Sequence, residues 1–185
     1  MKTVYYTATS IDGFIADPKN SLDWLFQFDD VEGLEEEYPT FINRIGAAAM
    51  GSTTYRWLLD HEKLLEHPEK WSFDFPVWVF SSREQPRVQG ADVRFVRWDV
   101  AQVHAEMVDA ARGKDVWLIG GGDLVGQFYD AGLLDEIILT IAPVTLGSGA
   151  PLLPRRIAIP PLRLREVRSI GGIFVYLTYD VPRPH

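Results

Sequence analysis

Three consecutive glycines, Gly120, Gly121 and Gly122, are the residues of this sequence whose type and spacing point most directly to chemistry. They follow a β-branched apolar run at residues 116–119 and precede a segment with helical spacing. A strand that passes through glycines into a helix presents unobstructed backbone N–H groups at the positive end of the helix dipole. The pattern predicts an anion site, and close packing of the helix on the strand is the structural alternative.

Two common nucleotide motifs do not match this turn. A Walker loop needs Lys followed by Ser or Thr after its last glycine, but Asp123 and Leu124 stand there. The Rossmann fingerprint needs spaced glycines and an acidic residue further along. We therefore expect a site distributed over several strand ends, with Met50-Gly51-Ser52-Thr53-Thr54 and Ser81-Ser82-Arg83 as further segments. Ordinary helix capping is the alternative interpretation of each hydroxyl pair.

The elements that must position these segments alternate along the chain. Apolar and β-branched runs predict strands at residues 3–9, 47–51, 76–82, 93–98, 115–119 and 135–143, and a closing β-hairpin that turns at Gly171 and Gly172. Helical spacing predicts helices within 31–45, where Pro39 should break or kink the helix, and at 52–60, 100–111 and 124–131. This order predicts an α/β fold with a mixed, mostly parallel sheet.

Composition narrows the classes of function. The chain has 185 residues, a formal net charge of -8 and no cysteine. We expect one domain spanning 1–185, no nucleic-acid partner because no basic face is concentrated, and no thiol chemistry. No apolar stretch approaches a membrane span and no leader pattern is visible, so a cytoplasmic protein without a membrane partner is expected. The four histidines lack metal-ligand spacing, so no metal is expected.

The motifs together resemble a known family. In order along nearly the whole chain they are "TATSIDGFIA", "DWL", "AAAMGSTTYRWL", "VFSS", "VWLIGGGDLVGQF" and "DEIILTIAPVTLGSGAPLLP". This series is similar to the dihydrofolate reductase fold, and within it to the riboflavin-biosynthesis reductase, or RibD C-terminal, family. The resemblance implies a three-layer α/β fold, NADPH as cofactor, a homodimer, and a cis peptide bond between Gly120 and Gly121.

The resemblance also implies roles for individual residues around NADPH. Ala8 and Ile15 would line the nicotinamide, and Leu22 would lie on the loop that closes over it. The other implied cofactor-binding residues are Gly51, Ser52, Thr53 and Thr54 at the pyrophosphate, Ser81, Ser82 and Arg83 at the adenosine end, and Ile119, Gly120, Gly121, Gly122 and Leu124 at the second phosphate-facing turn. Dihydrofolate reductases commonly carry a basic residue where Ser52 stands, so Arg83 or Arg56 would bind the extra phosphate instead.

Three residues match catalytic positions of the resembled family. Counting back from Met50 and Gly51 places Glu35 at the carboxylate that holds the substrate ring. Burial against Tyr38 and Trp24 would raise its pKa, although a run of three glutamates is also typical of a solvated helix face. Asp12 and Trp24 match the first turn and the closing loop, with turn formation and core packing as the alternatives.

The implied function is a reductase that transfers hydride from NADPH to a C=N or C=O group of a small heterocyclic substrate. The named reaction of the resembled family is reduction of 5-amino-6-(5-phosphoribosylamino)uracil. Dihydrofolate reductase activity is one alternative, and a nucleotide-binding or sensing module without turnover is another.

Overall fold

A twisted sheet of eight strands forms the centre of the protein, whose computed structural model describes residues 1–97 and 99–183. Two short strands form a separate ribbon. The strands are β1 (Thr3–Ser10), β2 (Phe14–Ala16), β3 (Ile45–Gly51), β4 (Val77–Phe80), β5 (Val93–Val96), β6 (Asp115–Gly120), β7 (Glu136–Ala142), β8 (Ala150–Pro151), β9 (Arg163–Ile170) and β10 (Phe174–Asp180). The helices are α1 (Asp23–Phe26), α2 (Leu34–Ile42), α3 (Ser52–His61), α4 (Val100–Ala111) and α5 (Gly122–Asp130), with a 3-10 turn at Pro68–Lys70.

The strand order of the large sheet is β5-β4-β3-β6-β1-β7-β10-β9. The first six of these strands pair in parallel, and β10 pairs antiparallel with both β7 and β9. The expected mixed, mostly parallel sheet with a C-terminal antiparallel hairpin is therefore confirmed. Gly171 and Gly172 both adopt positive φ angles, 57° and 68°, at the predicted turn of that hairpin.

Helices cover both faces of the sheet and make three layers. Successive residues of β1 point to opposite faces, so Val4 packs with α2 and α3, while Tyr5 packs with α4 and α5. Both residues are fully buried, which is typical of a parallel strand covered on both sides. The three-layer arrangement leaves the strand ends as the places where a ligand can reach the sheet.

Several element boundaries differ from the sequence prediction. The helix expected within 31–45 is α2 alone, and it continues through Pro39, whose carbonyl accepts the Asn43 N–H at 3.3 Å. Because α2 is short, Pro39 removes a single helical hydrogen bond and does not break it. β4 ends before Ser81, which forms a turn. The predicted strand 93–98 ends at Val96, and its residue Trp98 lies outside the described residues.

Ion pairs hold together the amino-terminal ends of the parallel strands. Glu136 at the start of β7 is fully buried, and its carboxylate contacts Lys2 Nζ at 2.6 Å, Arg44 Nη2 at 2.9 Å and Arg165. Burial alone would raise the pKa of Glu136, but hydrogen bonds from these three cations outweigh it and hold the pKa below its ordinary value. Asp115 and Asp180 complete this group, which we call the Glu136 cluster.

The helices of residues 1–97 and 99–183 are all too short or too polar to cross a membrane.

Candidate active site

A cleft of about 670 Å³ opens at the carboxyl ends of β3 and β6. Open α/β sheets bind ligands at this edge, because the loops that follow the strands diverge there. Most of the predicted cofactor residues line this cleft, namely Ile15, Leu22, Gly51, Ser52, Thr53, Thr54, Ile119, Gly120, Gly121, Gly122 and Leu124. The fold thus brings together segments that lie up to about 100 residues apart in the sequence.

Two residues of the glycine turn have different surroundings. A Cβ built on Gly121 would meet no described atom within 4 Å, so this residue leaves open space in the cleft. A Cβ on Gly122 would overlap the carbonyl oxygens of Pro151 and Leu152, the latter at 2.6 Å. Gly121 therefore keeps the cleft open, and Gly122 permits close packing. The peptide bond between Gly120 and Gly121 is cis, as the resemblance implies.

Besides the four-residue α1, whose N-cap is Leu22, two helices begin at this cleft without a capping side chain. Gly121 is the N-cap of α5 and Gly51 is the N-cap of α3. By contrast, α4 lies away from the cleft and is capped by Asp99, whose Oδ1 accepts the Ala101 N–H at 2.8 Å. α2 also begins at a glycine, and its first turn contains three glutamates that suit the positive end of its dipole, whereas the first turn of α5 contains one acidic residue, Asp123, and that of α3 contains none.

These two uncapped ends converge on one space. The hydroxyl residues Ser52, Thr53 and Thr54 form the first turn of α3 and do not act as its cap. Free N–H groups of α3 and α5 therefore face the same cleft, which suits a ligand that carries two linked anionic groups.

The adenosine-end residues predicted after β4 do not line the cleft. Ser81 is 8% exposed, and its hydroxyl donates to the Arg83 carbonyl at 2.7 Å and accepts from the Arg83 N–H and Gln85 Nε2. These bonds make Ser81 part of the turn. Ser82 and Arg83 are exposed beside it. A role of these three residues in binding cofactor stays a prediction.

A series of side-chain hydrogen bonds that links Ser81 to Arg56 was not predicted from the sequence. Gln85, which is 6% exposed, donates to the Ser81 hydroxyl and accepts from Arg56 Nε at 3.0 Å. Gln85 thereby holds the guanidinium of Arg56, one turn into α3, although Arg56 itself does not line the cleft. A glutamine four residues after a serine carries no recognisable sequence signal.

Ala8 lies in a different cavity from the other predicted cofactor residues. This smaller cavity has a volume of about 200 Å³ and also contains Tyr6, Phe26 and Thr140. It lies on β1 and β7 next to the main cleft, since Thr7 lines the main cleft and Ala8 pairs with Thr140. The proposed contact of Ala8 with a nicotinamide ring stays a prediction.

The expected burial of Glu35 is wrong. Its side chain is exposed in the first turn of α2 and does not line the cleft. Glu37 is the partly buried carboxylate of this helix, and it forms a two-point ion pair with Arg168. Because consecutive helical residues are 100° apart, Glu35 and Glu37 point to nearly opposite sides of α2. The sequence does not fix the rotation of the helix about its axis.

Asp12 and Trp24 take the structural positions that the sequence analysis weighed as alternatives. The Asp12 carboxylate accepts from the Ser10 hydroxyl at 2.6 Å and the Gly147 N–H at 2.7 Å, so it joins the turn after β1 to the loop before β8. The Ser10 bond contributes most to lowering the pKa of Asp12, which keeps it ionised. Trp24 packs against a small apolar cluster that includes Phe174. Neither residue lines the main cleft.

One end of the cleft is aromatic, which the sequence analysis did not predict. We call this part the aromatic end; its members are Thr7, Tyr38, Trp57, Ser72, Phe73 and Trp117. Two of the described tryptophans, Trp57 and Trp117, line the cleft. Asp123 is the single charged side chain among the described residues of the cleft lining. No group of acidic or histidine side chains within residues 1–97 and 99–183 could hold a metal ion.

The fold and the site define an α/β protein whose cleft at the carboxyl edge of the sheet contains two uncapped helix N-termini. Comparison with known proteins identifies the family. The chain belongs to the RibD C-terminal domain family, which matches residues 2–176. The uncharacterised protein YwjB of Bacillus subtilis is 32% identical over 170 residues, which cover 92% of each protein.

Solved structures confirm the dihydrofolate reductase-like fold. A bifunctional diaminohydroxyphosphoribosylaminopyrimidine deaminase/5-amino-6-(5-phosphoribosylamino)uracil reductase from Thermotoga maritima matches with a TM-score of 0.69 at 15% identity, over 98% of this chain and 56% of that one. Dihydrofolate reductase from Enterococcus faecalis, solved with NADP(H), matches with a TM-score of 0.58 at 14% identity, over 97% and 95% of the two chains. The chain thus has the framework of a RibD-like reductase.

Proposed function

We propose that the protein is an NADPH-dependent reductase that transfers a hydride to a C=N or C=O group of a small heterocycle. The observation that carries this proposal is the convergence of two uncapped helix N-termini, α3 and α5, on one cleft. The family and the solved relatives support it, since one is a pyrimidine-type reductase and another was solved with NADP(H).

The residues of the cleft suit a dinucleotide, although no cationic side chain is present in the described lining of the cleft. The N–H groups of the first turns of α3 and α5 would each bind one phosphate of the pyrophosphate, and the two helix dipoles would favour the negative charge. Gly121 leaves the space that the phosphate needs, because a Cβ there would point into the open cleft. The open glycine and the two N-termini therefore serve the same ligand.

The extra phosphate that distinguishes NADPH from NADH would lie near Arg56. Gln85 holds Arg56 Nε, so the terminal nitrogens of the guanidinium remain for a phosphate, which guanidinium groups bind in a forked geometry. Arg56 and Arg83 are both exposed, but the Arg56 side chain is held in place by Gln85. Arg56 is therefore our candidate for the specificity of the cofactor.

The dihydronicotinamide, when bound, supplies a hydride, and the acceptor takes this hydride on carbon and a proton on nitrogen or oxygen. The apolar side chains of Ile15, Leu22 and Ile119 would exclude water from the ring of the cofactor. The hydroxyls of Thr7 and Tyr38 would orient the acceptor at the aromatic end. Exposure of Glu35 removes the carboxylate on which the dihydrofolate reductase alternative depended.

The test of this proposal is a pair of measurements on the intact protein. Tryptophan fluorescence should be quenched saturably by NADPH, because Trp57 and Trp117 line the cleft. NADPH should then be consumed when an aminouracil or a related heterocycle is added. Saturable quenching without consumption by any such acceptor would favour the nucleotide-sensing alternative. Absence of quenching would reject the cofactor site. The homodimer stays a prediction, which sedimentation velocity can test.

A further inference from the structure

The aromatic end has a fixed shape that is set by packing among its own rings. Trp117 on β6 is 7% exposed, and its Nε1 donates to the Tyr6 carbonyl at 3.1 Å. The rings of Tyr38 and Phe73 meet it edge to face, with centroids 6.1 and 5.9 Å away. Edge-to-face packing and the buried hydrogen bond fix the orientation of Trp117. The surface that these rings present to the cleft is therefore formed before a ligand arrives.

Trp57, the remaining aromatic residue of the aromatic end, also lines the cleft. Its ring stacks on His61 at 4.5 Å with an angle of 14° between the planes, and lies 6.2 Å from Phe26 at 22°. This stack joins α3 to α1. The support behind Trp57 holds one face of the indole in place, so a flat ligand could stack at the aromatic end without reordering the side chain.

The polar groups of the aromatic end are neutral. They are the hydroxyls of Thr7, Tyr38 and Ser72. Burial raises the pKa of Tyr38, although Ser72 opposes the shift, so the phenol stays protonated near neutral pH. The nearby guanidinium of Arg168 is already paired with Glu37 and Glu166 and lies over the ring of Tyr176. A phosphate brought to this end would lose water without gaining a cation or a free helix N-terminus.

From these observations we propose that the acceptor reduced in this cleft is a planar, uncharged heterocycle without a phosphate group. This inference rests on the proposed reductase function and narrows its substrate class. Aromatic faces would bind the ring, and the three hydroxyls would select its orientation by hydrogen bonds. The substrate class thereby differs from the phosphorylated compound named for the Thermotoga maritima relative.

A matched pair of ligands tests the absence of a phosphate site. The probes are 5-amino-6-ribosylaminouracil and its 5′-phosphate, and in parallel riboflavin and its 5′-phosphate, each titrated into protein saturated with NADP⁺. Quenching of tryptophan fluorescence gives the four affinities. In at least one pair the neutral compound should bind about tenfold or more tightly than its phosphate. A preference for the neutral compound below about tenfold in both pairs, including any preference for the phosphate or no saturable binding, would overturn the proposal.

Substitution of Trp57 tests the stacking surface. Trp57→Leu should weaken the neutral ligand about fivefold or more, since stacking on an aromatic side chain makes at least this contribution. Trp57→Phe should restore most of the affinity. Unchanged binding of the neutral ligand by Trp57→Leu would contradict the assigned surface. If the unsubstituted protein did not bind NADPH, the proposed reductase function itself would be rejected. Failure of the proposed function can therefore be distinguished from failure of the proposed substrate class.

Discussion

The two ends of the parallel strands differ in their charged side chains. At the amino ends, the fully buried carboxylate of Glu136 contacts Lys2, Arg44 and Arg165. At the carboxyl ends, the lining of the cleft contains one charged side chain among the described residues, Asp123, together with glycines and two uncapped helix N-termini.

This difference separates stability from binding. The Glu136 cluster ties together strands of the sheet, and its central carboxylate is buried and fully paired with cations. The carboxyl edge leaves two helix ends without caps, which gives up stability that a capping side chain would supply. Substitutions in the Glu136 cluster should therefore change the free energy of unfolding, and substitutions in the cleft should change the affinity for NADPH.

The largest effect is expected at Glu136. Glu136→Gln leaves three cations around a neutral amide, and breaking a buried ion pair in this way costs about 3–5 kcal/mol. Urea unfolding at neutral pH should show this loss, while the folded variant should bind NADPH as the original protein does. Glu166→Gln is the control, since that carboxylate is half exposed and paired at the surface. Equal stability of Glu136→Gln and the control would refute the structural role of the cluster.

The same cluster predicts a direction for the pH dependence of stability. The pKa of folded Glu136 lies below its ordinary value of 4.5, so the unfolded chain takes up this proton first. The contribution of Glu136 is complete above its ordinary pKa and is lost as the pH falls through the lower folded pKa. Asp180 shifts in the same direction. The gap in unfolding free energy between the original protein and Glu136→Gln should shrink below about pH 4; a gap that widens on acidification would contradict this sign.

Adjacent glycines should give opposite results. Gly122→Ala places a methyl group against the carbonyls of Pro151 and Leu152 and should destabilise the fold by about 1–3 kcal/mol. Gly121→Val meets open space, so its melting temperature should hardly change, while the side chain fills the phosphate position and NADPH binding is lost. Thermal unfolding and NADPH titration of both variants check this pair. If Gly121→Val bound NADPH with unchanged affinity, the assignment of a phosphate position to this turn would be wrong.

The smallest predicted effect concerns the choice between NADPH and NADH. Arg56→Ala should weaken NADPH about tenfold, or about 1.4 kcal/mol, and leave NADH within twofold. Gln85→Leu should reproduce part of this loss, because it removes the bond to Arg56 Nε. Arg83→Ala is the matched comparison at the neighbouring turn. If Arg83→Ala weakened NADPH more than Arg56→Ala, the sequence-based assignment to Arg83 would be preferred.

Local patterns were sufficient to predict the sheet and the glycine turn. Alternating and continuous apolar runs identify β1, β3, β6 and β7, and consecutive glycines between a strand and a helix can form few other structures. The position of Glu35 could not be predicted in the same way, because a shift of two residues in α2 exchanges the exposed side for the side that pairs with Arg168.

The aromatic end lay beyond sequence reasoning for a different reason. Tyr38, Phe73 and Trp117 come from a helix, an irregular segment and a strand that are far apart in the chain. Their meeting depends on strand order and on how α2 packs on the sheet, which no local spacing records.

Calorimetric titration of the folded protein with NADPH tests the central claim most directly. Two uncapped helix ends around one open glycine predict saturable heat at one site per chain, weaker binding of NADH, and no heat with Gly121→Val. Absence of saturable heat with either coenzyme, in protein that unfolds cooperatively, would contradict the account.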